Sequence, residues 1–122
     1  MSTPPARFPR RVFGVGDEPD PRFTLANERT FLAWIRTALA LIAAGVALEA
    51  LSLPIQPTLR LIAALILLAL GLLVPILAWA TWGGVERALR HGRPLPGSGV
   101  ALPVVVGVAA VAALLIAGIV LR

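Results

Sequence analysis

Two stretches of this 122-residue chain, Leu61–Trp82 and Val100–Leu121, each run for 22 residues without a charged side chain. A helix rises about 1.5 Å per residue, so either run can cross the roughly 30 Å hydrocarbon core of a bilayer. The composition agrees: 58% of residues are hydrophobic, 14% are charged, and mean hydropathy is +0.89. A soluble domain of this length would sit near half apolar and about a quarter charged. The length therefore predicts one domain, and that domain is a membrane domain.

A third span precedes the other two. Asp20-Pro21 has the form of an N-cap followed by proline at the first helical position, where the missing N–H costs nothing. From Arg22 to about Ala50 only Gly45 weakens a helix, and Gly45 is tolerable. Such a helix is about 40 Å long, so its first turns protrude or lie among the headgroups. Residues 52–57 hold two prolines and read as a short turn. Pro75 lies inside the next span, where its ring opposes the Gly71 carbonyl, and a kink is expected there. Trp79 and Trp82 close that span as interfacial anchors. Residues 83–99 read as a polar loop.

The expected fold is thus an all-α membrane protein with three transmembrane helices, at about residues 30–52, 61–82 and 100–121. Residues 1–20, with four prolines, three arginines and three acids, are expected to form a mobile cytoplasmic tail ahead of a membrane domain over 21–122. They lack the apolar core of a cleavable signal peptide.

All eleven basic residues are arginine. Arg7, Arg10, Arg11, Arg22, Arg29 and Arg36 lie before or at the entry to the first span, and Arg87, Arg90 and Arg93 between the second and third. Only Arg60 and Arg122 fall on the other side. Nine against two predicts a cytoplasmic N-terminus and 83–99 loop, an outside C-terminus, and a multi-pass protein of the cell (inner) membrane. The net charge of +5 does not point to nucleic acid, because no basic face is interleaved with exposed aromatics.

The most informative residues open the first span: Leu25-Ala-Asn-Glu-Arg-Thr-Phe-Leu-Ala-Trp-Ile-Arg-Thr37. Arg22, Arg29 and Arg36 are seven apart and form one slowly drifting stripe on a helix. If hydrocarbon begins near Phe31, Arg36 lies about 7 Å inside it. An arginine at mid-membrane costs about 2.5–3.5 kcal/mol, less near an interface, and usually faces protein or water. Each arginine taken alone fits equally well as a topology anchor that snorkels to lipid phosphate. Glu28 does not fit that bland reading. Its neighbours three and four residues away (Thr24, Leu25, Phe31, Leu32) are uncharged, so it is expected to pair with an arginine of a neighbouring first helix or with Arg87, Arg90 or Arg93.

The same run closely resembles the signature of the YidH-like family of small inner-membrane proteins, a domain of unknown function numbered 202. It is also similar to the membrane module of the eukaryotic vacuolar transporter chaperone complex, which makes polyphosphate and moves it across a membrane. The resemblance covers roughly residues 19–122 and rests mostly on 22–37. It implies a ring of five with first helices around a path for polyphosphate, and carries over to Arg22, Glu28 and Arg29. Arg36 has no basic counterpart in the eukaryotic module, so its role rests on helical spacing. No polymerase or phosphate-sensing domain accompanies the module here, so polyphosphate synthesis is not implied.

Other residues carry weaker signals. Glu49 reads as a solvated end facing Arg60 more readily than as a proton-coupling site. His91 lies in the basic loop with no cysteine in the chain and no acid cluster nearby, so no metal site is expected. Glu86 through Arg93 reads as a topology anchor against anionic lipid, or more sharply as an anion-collecting vestibule. Gly14-Val-Gly16 lacks the ending and context of a phosphate loop. Ala43 and Ala47, and Ala109, Ala113 and Ala117, recur at four and suit close helix packing.

No catalytic set or cofactor fingerprint is present, so neither enzyme activity nor a cofactor is expected. The leading expectation is a homo-oligomer, with a pentamer favoured, whose Arg22, Arg29 and Arg36 rings form the mouth of an anion path for phosphate or polyphosphate, with Glu28 as latch. The alternative is a non-conducting scaffold or accessory subunit. A proton-coupled exporter is a third.

Overall fold

The computed structural model describes residues 8–122, which form four helices: α1 (Arg10–Phe13), α2 (Pro21–Ala50), α3 (Pro57–Arg90) and α4 (Ala101–Val120). Three of them, α2, α3 and α4, are long and apolar enough to cross a membrane. The all-α, three-span reading therefore holds.

The ends of α2 follow the local chemistry of the sequence. Asp20 is the N-cap, its Oδ1 accepting the Arg22 backbone N–H at 2.9 Å, with Pro21 at the first helical position. The helix closes as Leu51 N–H donates to the Ala47 carbonyl, and Ser52 takes a left-handed φ of +49° to turn the chain. At the start of α3, Gln56 caps through its Oε1, which accepts the Leu59 N–H at 2.8 Å, and Pro57 again occupies the first helical position. The helix then runs unbroken through Pro75.

The main departure from expectation is the length of α3. Gly83-Gly84 does not end it; the helix continues to Arg90, absorbing the first half of the expected 83–99 loop. Its stop comes at Gly92, whose φ of +63° lets Arg93 N–H reach the Ala88 carbonyl at 2.9 Å and Gly92 N–H reach that of Leu89. That double closure satisfies carbonyls that a helix end leaves open. Gly83 is buried against α1, with Val12 Cγ2 3.4 Å from where a Cβ would stand. At 34 residues α3 is about 51 Å long, so its ends outrun the hydrocarbon core.

The three long helices stand in a row with α3 in the middle. α2 and α4 each pack on α3 and not on each other, and α1 packs on α3. α2 turns Asn27, Ala38, Leu41, Gly45 and Leu48 inward, a spacing of three and four that defines one face. Close approach is made by glycine. A side chain on Gly71 would collide with Ile42, and one on Gly107 with Leu70. In a bilayer this packing stabilises by van der Waals contact, since lipid tails are as apolar as leucine. Of the alanine stripes, Ala43, Ala109 and Ala113 are exposed, while Ala47 and Ala117 are half-buried. The inward face of α4 is carried instead by Val111 and Gly118. Large apolar side chains such as Leu72, Leu102 and Val120 point outward, as lipid-facing residues do.

Part of the segment expected to be a mobile tail lies against α3. Val12 on α1 is buried, and the segment up to Glu18 is tied to the end of α3. Residues 1–7 of that tail, Arg7 included, lie outside the described residues.

Candidate functional site

Polar chemistry gathers where the start of α2 meets the last turns of α3. Glu86 is 0% exposed. Its Oε1 accepts from Asn27 Nδ2 at 3.2 Å and its Oε2 from Thr24 Oγ1 at 3.4 Å. Asn27 Nδ2 also donates to the Trp82 carbonyl at 3.0 Å. A buried carboxyl is costly unless hydrogen-bonded, and both oxygens here have partners. Among the described residues, every buried side-chain nitrogen and oxygen is satisfied. The Asn27 amide is thereby a bracket between α2 and α3.

One turn further on, Arg90 is 6% exposed. Its Nε donates to the Val15 carbonyl at 2.6 Å, its Nη2 to the Phe13 carbonyl at 2.8 Å, and its Nη1 to Glu18 Oε1 at 3.4 Å. The guanidinium also lies 5.7 Å from the centroid of the Phe13 ring. In return, Asp17 N–H donates to the Arg90 carbonyl at 3.0 Å. Gly16 permits this approach: its φ is +61°, and a Cβ would fall 2.6 Å from the Arg90 carbonyl oxygen. The planar fork of arginine suits such multiple acceptance.

The residues expected to form the site divide accordingly. Arg90 is a structural clamp, not part of a solvated basic loop, because three acceptors from residues 13–18 consume its donors. Arg87, on α3, and Arg93, beyond it, are exposed. His91 Nδ1 lies 2.8 Å from the Arg87 carbonyl of its own helix. Arg22 is exposed and pairs with Asp20 at 2.8 Å. Its guanidinium and backbone N–H hold the Asp20 carboxyl below its ordinary value. The charged cap therefore contributes at neutral pH and is lost as pH falls through that lowered value.

Arg29 and Arg36 are exposed on the side of α2 turned away from α3, and neither makes an ion pair or side-chain hydrogen bond among the described residues. Thr30 and Thr37 donate to the Ala26 and Ala33 carbonyls of their own helix, each at 3.2 Å. Glu28 is exposed too, and its expected pairing with Arg87, Arg90 or Arg93 of the same chain does not form. It lies on the other flank of α2 beside Phe31, Trp79 and Trp82. Glu49 does face Arg60, at 3.3 Å, at the far end of the molecule.

An aromatic cluster joins these parts. Trp79 and Trp82 stack with centroids 5.1 Å apart, Phe31 meets Trp79 edge-on at 6.1 Å, and Phe13 of α1 lies 5.8 Å from Trp82. Trp82 is buried under α1, and Trp79 stays exposed. On the opposite flank a cleft of about 280 Å³ lies between α2 and residues 95–98, with Asn27, Thr30, Thr81 and Ser98 as its polar lining residues.

Sequence reasoning gave Asn27 no role of its own and read Glu86 as part of the basic cluster, not as the buried partner of Asn27. Asn27 stands among Thr24, Glu28, Arg29 and Thr30, so nothing in the sequence singled it out. The partner, 59 residues away, could not be read from spacing.

The fold and this junction define a multi-pass integral membrane protein. A family model described as Domain of unknown function (DUF202) matches residues 22–88, and the chain belongs to that family. It is 42% identical over 87 residues to the inner membrane protein YidH of Escherichia coli K12, covering 70% of this chain and 76% of that one. It is 49% identical over 80 residues to the uncharacterized protein MT2333 of Mycobacterium tuberculosis, covering 65% of this chain and 66% of its relative. No solved structure matches the chain.

Proposed function

We infer that this protein is a homo-oligomeric anion channel or transport module of the inner membrane, with Arg22, Arg29 and Arg36 of α2 lining the entrance of the path. The observation that carries this reading is the unpartnered face of α2. Among the described residues, Arg29 and Arg36 are exposed and make no ion pair, on a helix long enough to cross a bilayer and on the side turned away from α3. Arg36 follows Arg22 by about 21 Å along the axis. A charge at that depth is usually turned toward protein or water rather than acyl chain.

Copies arranged with this face inward would stack the arginines as rings, and rings of one charge select ions of the other. Phosphate or polyphosphate is the anion class that the motif's resemblance to the vacuolar transporter chaperone module suggests, and a ring of five is the favoured assembly. The N-terminus and residues 91–99 are assigned to the cytoplasm on the arginine count. The reading gives the chain no covalent chemistry.

The test combines subunit counting with flux. Native mass spectrometry from nanodiscs is expected to give a ring of four or more copies, and proteoliposomes are expected to pass phosphate or short polyphosphate. Arg36→Leu should abolish that flux with insertion intact. A monomer or dimer, or flux unchanged in Arg36→Leu, would overturn the reading.

A further inference from the structure

The stacked pair Trp79 and Trp82 is the common wall of two clefts. One, of about 270 Å³, carries Glu28 with Phe31 and Leu32; the other, of about 250 Å³, carries Arg11 and Arg87. Opposite charges thus stand on the two sides of one aromatic pair. Tryptophan concentrates at membrane interfaces, and α3 continues past Trp82 for two further turns before its stop.

We propose that this paired cleft binds the headgroup of a zwitterionic phospholipid bearing a primary ammonium, with the ammonium between Glu28 and the Phe31 and Trp79 rings and the phosphate at Arg87 and Arg11. A carboxylate accepts N–H bonds from a primary ammonium, and aromatic faces attract the same cation. A trimethylammonium offers no N–H to Glu28. An anionic headgroup without an amine places its charge against that carboxylate. Arginine is suited to phosphate oxygens through its fork of donors.

The charge inventory favours lipid over a second copy of the chain. Of the six acids, Asp20 pairs with Arg22, Glu49 with Arg60 and Glu18 with Arg90, while Glu86 is buried. A neighbouring copy could offer an arginine to Glu28, yet apart from its own Glu28 only Asp17 is left to answer both Arg11 and Arg87. A phosphate supplies that negative charge directly. The site stands whether or not α2 lines an anion path.

Native mass spectrometry of the full chain, released from micelles doped with equal dioleoyl phosphatidylethanolamine, phosphatidylcholine and phosphatidylglycerol, tests the proposal. The intact protein should retain phosphatidylethanolamine preferentially. Glu28→Gln should cut that retention about tenfold, the scale of one hydrogen bond to a charged group, without lowering phosphatidylglycerol. Arg87→Gln should lower both lipids. Trp79→Leu, at an exposed position, should abolish the preference for the amine headgroup. Retention that is unchanged in both Glu28→Gln and Trp79→Leu overturns the proposal. So does a Glu28→Gln chain that changes its subunit number while keeping its lipid, because Glu28 would then be a contact between copies.

Discussion

Arg90 and Arg36 are the same side chain put to opposite uses by their surroundings. Arg90 has each of its three guanidinium nitrogens engaged, by two carbonyls and a carboxylate from residues 13–18, and so converts a proline-containing segment into a docked strap. Removing it strands those carbonyls and releases the strap. Arg90→Met is therefore expected to cost about 3 kcal/mol of docking free energy, the scale of one or two hydrogen bonds to a charged group. Hydrogen exchange should read this as lost protection at the Asp17 and Gly14 amides, with α2 and α4 unaffected. Unchanged exchange at Asp17 would show that α1 holds on through Val12 and Phe13 alone. Arg36 has no such acceptors, and that is what makes it informative about function. The distinction was not legible in sequence, where both are arginines beside apolar runs. What separates them is a chain reversal that brings residues 13–18 back over α3.

The elements were legible where local chemistry fixes them. Asp20-Pro21 placed the start of α2, and α4 starts and ends within one residue of its uncharged run. α3 was misjudged because a glycine pair has two meanings, a stop or a close contact. Gly83 serves contact with Val12, while the true stop, Gly92, lay in plain view beside His91. The same ambiguity governs the helix interfaces. Gly107 admits Leu70 against the α4 backbone, where any β-carbon would collide with it. Gly107→Val should push α4 off α3, at about 1–3 kcal/mol for overpacking, read as a lower melting temperature in detergent. Ala109→Val on the exposed face should leave that temperature unchanged. Equal effects from the two substitutions would place the α4 contact elsewhere.

At the scale of the whole molecule the absence of cysteine is an experimental opening. Ser98→Cys and Ser52→Cys put a single thiol at each end of the helix row, both on exposed residues. The arginine count predicts that an impermeant maleimide labels position 52 from outside intact cells and position 98 only after permeabilisation. Reversed labelling would invert the topology and move the arginine stripe to the outer surface. The membrane class and the motif were evident from the chain alone, but the bracket between Asn27 and Glu86 was not, since only the folded helices bring the two together.

The row itself has a consequence. With α2 and α4 kept apart by α3, a single copy has two long edges and no interior. Under the assembly proposed above, any aqueous passage is the joint property of several chains, each lending one edge. A defective chain made beside intact ones would then spoil every assembly it enters, so its inheritance would be dominant rather than silent.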